Sequence, residues 1–153
     1  MAVKDAVDWK AAQKKAKSTG RWAVTMTKVR IRRVLSRTRW QLVTFCGTSG
    51  SESVGIVDLL AVRKDHREPS IGGTKRGDAL QIILIQVKGG TASMPTNEDG
   101  KRLWAVAKAL RARHVLLASL KKGTAARFYS YRPRATDRAK QWIEVTDLDA
   151  VFK

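Results

Sequence analysis

Residues 79–88, ALQIILIQVK, are the most apolar stretch of the chain. An aliphatic run of this length, ended by Gly89 and Gly90, predicts a strand that is covered on both faces and therefore lies in the middle of a sheet. Residues 54–63, VGIVDLLAVR, predict a second strand, and the polar, glycine-bearing segment 65–78 predicts a loop or hairpin arm that joins the two.

The remaining elements follow from the periodicity of the flanking segments. Apolar residues at helical spacing predict helices, and short runs of β-branched and aromatic residues predict strands. Before the two strands we expect a weak helix at 3–17 broken at 18–20, a helix at 27–37 and a strand at 40–45. After them we expect a helix that begins at Glu98 with Thr96 or Asn97 as its N-cap. Strands at 114–120 and 126–131 and a short helix at 147–152 complete the chain. The order helix, three strands, helix and two strands predicts an α/β layered fold. Residues 1–25 would form a basic N-terminal helical extension, and residues 26–153 a single domain.

With 153 residues and an apolar fraction of 43%, the chain is long enough to bury a core in one domain. Cys46 is the only cysteine, which excludes an intramolecular disulfide and a multi-cysteine zinc site and suits a reducing cytosol. No apolar run approaches the ~20 residues that span a bilayer, and residues 1–10 lack the apolar core of a secretory signal. We therefore expect a cytoplasmic protein with no membrane partner.

The chain carries 31 Lys and Arg against 13 Asp and Glu, a net charge of +18. Residues 1–45 hold 12 basic and 2 acidic residues, and residues 28–39 hold six cations and no anion. Because such a field attracts polyanions, nucleic acid is the leading partner class, with a solvated basic face as the plain alternative. The cations expected to contact phosphates are Lys28, Arg30, Arg32, Arg33 and Arg37, together with Lys101 and Arg102 on the helix that follows the third strand.

Three polar residues interrupt the two most apolar strands. Asp58 lies inside residues 54–63, and Gln86 and Lys88 lie near the end of residues 79–88. Side chains alternate along a strand, so Gln86 and Lys88 project from one face, and Asp58 can lie beside them if the strands are neighbours. Burying a carboxylate and an ammonium is costly unless they are paired or bind a metal. Three alternatives stay open: a structural Asp58–Lys88 ion pair, strand ends open to solvent, and a functional site.

The strings GIVDLLA at 55–61 and IQVKGG at 85–90 resemble the motif of the PD-(D/E)xK superfamily of restriction-endonuclease-like nucleases. That superfamily includes Holliday-junction resolvases and Mrr-like restriction enzymes. Its pattern is an Asp on one strand, followed on the next by Glu, Asp or sometimes Gln, any residue, and Lys, which Asp58, Gln86 and Lys88 match. The resemblance covers roughly residues 28–132 and implies a restriction-endonuclease-like fold, that is, a mixed central sheet flanked by helices (αβββαβ). It also implies hydrolysis of phosphodiester bonds with the help of Mg²⁺ or Mn²⁺.

The resemblance implies a role for each matching residue. Asp58 would be the principal metal ligand, and the amide oxygen of Gln86 and the backbone carbonyl of Val87 would be further ligands. Lys88 would orient or activate the attacking water, or stabilise charge on the phosphate.

The chain departs from the family pattern at two motif positions. Val57 replaces the proline, and Gln86 replaces the usual acid, which leaves one negative charge fewer to hold the metal. Many relatives also carry a Glu on the first helix, whereas residues 27–37 contain no acid. Glu52 is the nearest candidate replacement, and its alternative role is that of a solvated acid in a turn.

These features predict a metal-dependent endonuclease that hydrolyses DNA, which we expect as the substrate rather than RNA. One alternative is a catalytically silent module of the same fold that binds nucleic acid through its basic surface. Another is a basic interaction protein in which Asp58 and Lys88 only pair. Nucleases that cut two strands are often symmetric dimers, so a homodimer is among the expected assemblies.

Overall fold

A computed structural model describes residues 8–45, 55–67, 72–135 and 137–153. In chain order its elements are α1 (Trp9–Leu35), β1 (Gln41–Thr44), β2 (Leu59–Lys64), β3 (Leu80–Gly89), α2 (Asn97–Ala109), β4 (His114–Leu120), β5 (Arg127–Tyr131), α3 (Arg138–Gln141), β6 (Trp142–Glu144) and α4 (Leu148–Val151). The predicted α/β class is confirmed.

The six strands form one mixed sheet in the order β1-β2-β3-β4-β5-β6. The first three strands make an antiparallel meander, whereas β4 lies parallel to β3 because α2 carries the chain back across the sheet. Strands β5 and β6 continue the sheet in antiparallel fashion. Strand β3 is therefore central, and Ile83, Leu84 and Ile85 are fully buried, as its apolar run predicts.

Helices cover both faces of the sheet, and the alternation along β3 separates the two cores. Ile83 and Ile85 pack in one core with Ile31 of α1. Leu84 packs in the other with Leu103 of α2. Odd-numbered residues of β3 thus face α1 and even-numbered residues face α2. This alternation decides on which side of the sheet each polar residue of β3 lies.

Two glycines at the end of β3 set the path of α1. A Cβ on Gly89 would lie 2.6 Å from Cβ of Ala23, and one on Gly90 would lie 2.8 Å from Cγ2 of Thr19. Residues without side chains therefore allow α1 to cross the sheet at this point. The helix then leads into β1, which begins level with Ile82 near the start of β3. Helix α1 accordingly runs from the C-terminal end of β3 toward its N-terminal end.

The predicted break at residues 18–20 is wrong, because α1 is one continuous helix of 27 residues. The Thr19 hydroxyl donates to the carbonyl of Lys15 at 2.9 Å, so its polar group is satisfied inside the helix. Gly20 costs a helix interior only about 1 kcal/mol, and the packing of Ala23 against Gly89 offsets it. The domain boundary expected between residues 25 and 26 falls within this helix, and residues 1–7 lie outside the described residues.

Two other element boundaries bear on the polar residues. Strand β2 begins at Leu59 rather than at residue 54, so Asp58 precedes the strand instead of interrupting it. Helix α2 begins after Thr96, one of the two predicted N-caps, whose hydroxyl accepts from the N–H of Asp99 while the Asp99 carboxylate accepts from the N–H of Thr96. The reciprocal cap fixes the start of α2 at the same end of the sheet as Gly90.

Candidate active site

Asp58 is anchored to β3 by its backbone and by its side chain. Its N–H donates to the carbonyl of Ile85 at 3.0 Å, and its Oδ2 accepts a hydrogen bond from the N–H of Val87 at 2.6 Å. These bonds hold the half-buried carboxylate at the point where β2 separates from β3. An ionised carboxylate has about four acceptor positions, so the bond to Val87 still allows it to ligate a cation.

Gln86 is buried on the α2 face of β3, with 6% of its surface exposed. Its Oε1 atom is buried and accepts no hydrogen bond from any described residue. The buried Gln81 and Gln141 differ, because each has hydrogen-bond partners for its amide. An unmatched buried acceptor costs roughly 1–3 kcal/mol. A cation on Oε1 would remove that cost.

Lys88 lies two residues after Gln86, so it projects from the same face of β3, where it is half-buried. Neither ion pair found between described side chains includes Lys88, so the structural Asp58–Lys88 pair is not formed among them. In the sheet register Lys88 lies beside Ser119 of β4, and Ser119 lies beside Arg127 of β5. An ammonium, a hydroxyl and a guanidinium therefore form one row across the α2 side of the sheet. Sequence patterns could not reveal this row, because it depends on the parallel register of β3 and β4.

The main chain of Val87 is directed toward β2. Ile82 accepts from the N–H of Arg113 on the β4 side, whereas Ile85 accepts from Asp58 on the β2 side. Peptide groups of odd-numbered residues on β3 thus point to β2, and the carbonyl of Val87 points to the edge where Asp58 lies. Glu52 and Cys46 lie outside the described residues.

Within the described ranges, no group of three or more His, Cys, Asp or Glu side chains is arranged to hold a metal ion. The oxygen donors near the C-terminal end of β3 are one carboxylate, one amide oxygen and one main-chain carbonyl, from Asp58, Gln86 and Val87. All three are oxygen ligands of the kind that Mg²⁺ takes, and Mg²⁺ commonly uses only one or two carboxylates and completes its shell with water. The unmatched Oε1 of Gln86 and the chemistry of this donor set fit a hard divalent cation.

Two groups with perturbed pKa values lie at the opposite end of the sheet, and their shifts have structural causes. The N–H of Arg67 and the amide of Gln81 hold the pKa of Asp65 below its ordinary value. Burial, together with the neighbouring Arg113, lowers the pKa of His114. These groups hold loops and strand ends in place, and none of them lies beside Asp58.

The cations predicted to bind nucleic acid divide between the two faces of the sheet. Lys101 and Arg102 are exposed in the first half of α2, which begins at the end of the sheet that holds Gln86. The others lie on the opposite face, in the second half of α1 and in the turn just after it, and extend away from Asp58. All are exposed except the half-buried Lys28: Lys28, Arg30, Arg32 and Arg33 on α1, and Arg37 after it.

Sequence reasoning missed the cations of the first half of α1. Lys10, Lys14, Lys17 and Arg21 recur at spacings of four, three and four residues, which place them on one side of a helix. That spacing was visible in the sequence, but the expected break at residues 18–20 hid it. Among the described residues no helix could cross a membrane, since the only one of sufficient length, α1, carries nine cations.

Comparison with known proteins assigns no function to this chain. The chain matches no protein-family model, no curated protein and no solved structure. Function is therefore argued from the chemistry and geometry of named residues.

Proposed function

We propose that this protein is a metal-dependent endonuclease that hydrolyses phosphodiester bonds in DNA, with its active site at Asp58, Gln86 and Lys88. The observation that carries the proposal is the buried, unmatched Oε1 of Gln86 one residue from Val87, whose N–H binds the Asp58 carboxylate. Native proteins rarely leave a buried acceptor without a donor, and such atoms call for an explanation such as an ion. A divalent cation supplies that explanation.

The order of elements supports the proposal. One helix, an antiparallel meander of three strands, a second helix and a strand parallel to the third follow one another along the chain. This is the αβββαβ layout that the resemblance to restriction-endonuclease-like nucleases implies. Asp58, just before β2, and Gln86, near the end of β3, lie at the same end of the sheet, which suits a site shared by these two strands.

Each residue has a distinct chemical task. Asp58, Gln86 and the carbonyl of Val87 would hold Mg²⁺ or Mn²⁺, which neutralises charge on the phosphate and lowers the pKa of a bound water. Lys88 projects from the same face as Gln86 and would orient the attacking water or stabilise charge on the phosphate. Ser119 and Arg127 extend this row and would contact neighbouring phosphates.

A second candidate is a catalytically silent module of the same fold that binds nucleic acid. It is favoured by the single carboxylate at the site and by the lack of a group of three metal-binding side chains among the residues described. A site with one fewer negative charge holds a cation less tightly. The two candidates differ in the effect of divalent metal ions. For the nuclease these ions enable cleavage, whereas for the silent module they only screen charge and weaken nucleic-acid binding.

The test measures cleavage of linear, supercoiled, branched and single-stranded DNA, and of RNA, with Mg²⁺, with Mn²⁺ and with EDTA. We expect metal-dependent cleavage of DNA that is lost in Asp58→Asn and in Lys88→Ala. Asn at position 58 keeps an oxygen that can accept from the N–H of Val87, so folding is preserved while the charge is removed. Asp149→Asn and Lys108→Ala change exposed residues outside the site and serve as matched controls.

Metal binding gives a readout that does not depend on activity. Titration with Mn²⁺ should show one site, weakened in Asp58→Asn and strengthened in Gln86→Glu, which restores an acid. Binding of nucleic acid without cleavage in any metal, together with unchanged metal affinity in Gln86→Glu, would favour the silent module and refute the nuclease.

A further inference from the structure

The first part of α1 extends beyond the body of the protein. Every residue from 8 to 18 is exposed, and the first buried residue of the helix is Ala23. The helix is nevertheless properly started, because the side chain of Asp8 accepts from the N–H groups of Lys10 and Ala11. Since α1 meets the sheet at Thr19, residues 8–18, which we call the projecting arm, extend roughly 16 Å past it.

One side of the projecting arm is a stripe of cations. Lys10, Lys14, Lys17 and Arg21 line a common shallow groove along the helix. Across its full length α1 carries nine cations and no acid. Like charges three and four residues apart destabilise a helix, and no acid within α1 relieves this repulsion. A polyanion laid along the stripe would relieve it.

The arm leaves the sheet at the end that holds the candidate site. Thr19 lies against Gly90, and Gly90 is two residues after Lys88. The cations of the second half of α1 point away from that end, whereas those of the arm extend past it. Thr19 lies roughly 170° around the helix from the stripe, so the stripe faces away from the sheet and a rod-shaped ligand on it would lie along the outer side of α1.

We propose that the projecting arm binds the phosphate backbone of double-stranded DNA. The inference rests on the proposed function, which identifies the polyanion as DNA. A straight stripe of cations matches a stiff duplex, which presents one charge per about 1.7 Å of its axis. Single-strand binding relies on aromatic stacking within the charged track. Trp9 and Trp22 lie roughly 100° away from the stripe around the helix, so the stripe offers no stacking surface.

The test compares two triple variants by fluorescence anisotropy with a labelled duplex, with a single strand and with duplex RNA of the same sequence. The arm variant is Lys10→Ala, Lys14→Ala and Lys17→Ala. The control variant is Lys64→Ala, Lys75→Ala and Lys108→Ala, which removes three exposed lysines from the opposite end of the sheet. Alanine is the best helix former, so circular dichroism should show that the arm variant keeps its helix.

We expect the arm variant to lose roughly 100-fold in duplex affinity at about 0.1 M salt, and its salt slope to fall in magnitude by about 2.7, at about 0.9 per lost phosphate contact. The control variant should bind nearly as the unmodified protein does. Equal losses in the arm and control variants, or an equal loss for single strands and duplex RNA, would overturn the arm proposal. If the arm variant alone loses duplex DNA binding but the unmodified protein cleaves no DNA in any metal, the nuclease proposal fails and the arm proposal stands.

Discussion

Replacing Gln86 with methionine should make the metal-free protein more stable. The substitution removes the buried Oε1 that no described residue satisfies and puts a flexible apolar side chain among the side chains of the α2 face. An unmatched buried acceptor costs roughly 1–3 kcal/mol, so we expect the free energy of unfolding to rise by about 2 kcal/mol. For a chain of this length, that rise corresponds to roughly 4–8 °C in Tm.

The same strand provides a matched control. Gln81 is also buried on β3, but its Oε1 accepts from Nε of Arg63 at 2.6 Å and its Nε2 donates to Oδ2 of Asp65 at 2.9 Å. Gln81→Met removes one hydrogen bond from Arg63 and one from Asp65, so it should destabilise the protein by about 1–2 kcal/mol. Two substitutions of one residue type on one strand thus change stability in opposite directions.

Urea unfolding in EDTA and in Mg²⁺ tests the direction in which Gln86→Met changes the free energy of unfolding, and the cause of that change. In EDTA, Gln86→Met should be more stable than the unmodified protein. In Mg²⁺ at about 100 times Kd, the unmodified protein should gain about 2.7 kcal/mol, and the variant much less, because a ligand stabilises only the state that binds it. If Gln86→Met lowers stability as Gln81→Met does, the amide oxygen is satisfied in the metal-free protein, and the reasoning that assigns it to a cation is refuted.

Three further substitutions test the packing and the titration of the fold. Gly89→Ala should lower the free energy of unfolding by about 2 kcal/mol in a urea titration, because its Cβ would lie 2.6 Å from Cβ of Ala23. The control Gly55→Ala, whose Cβ would lie in open space, should be nearly neutral in the same titration. Thr27→Val should stabilise by about 1 kcal/mol, because the fully buried Thr27 hydroxyl has no partner among the described residues; a lower urea midpoint would contradict this. Burial lowers the pKa of His114 below 6.5, so its contribution to stability is present above pH 6.5 and is lost as the pH falls toward the lowered value. Stability measured between pH 6.5 and about 5 should therefore fall less steeply in His114→Gln, and an unchanged slope would argue against a buried neutral imidazole.

Local pattern was sufficient for the centre of the sheet. The side chains of a continuous aliphatic strand are all removed from water only when both faces of the strand are covered. Residues 79–88 therefore had to lie between other strands. The start of α2 was equally local, because Thr96 and Asp99 cap each other within four residues. In both places the forces that decide the structure act between residues that are close in sequence.

The path of α1 was not predictable in that way. Gly20 weakens a helix, and local propensity alone favours a break beside it. The contact of Thr19 and Ala23 with Gly90 and Gly89 joins segments about seventy residues apart in the sequence, and no local pattern reports it. The same missing contact hid the projecting arm, since the stripe of lysines is visible only once residues 9–35 are known to form one helix.

The candidate site could be predicted only as a set of residue types. The motif strings named Asp58, Gln86 and Lys88, and alternation put the last two on one face. The hydrogen bond from Val87 to Asp58 and the unmatched oxygen of Gln86 required the register between β2 and β3. Register is a property of strand pairing, which a single sequence does not state.

The two ends of β3 differ in how well their polar groups are satisfied, and the difference points to the functional end. At the N-terminal end, Arg63, Gln81 and Asp65 form a connected network in which both ends of the Gln81 amide are bonded. At the C-terminal end, Gln86 has a buried oxygen without a donor, and the projecting arm holds like charges side by side. Each feature lowers the stability of the isolated protein; under the two proposals a cation would match the first and a polyanion the second. Departures from local rules are expected where a ligand restores the balance. A cation at Gln86 and a DNA duplex on the arm would restore the balance at this one end of the sheet.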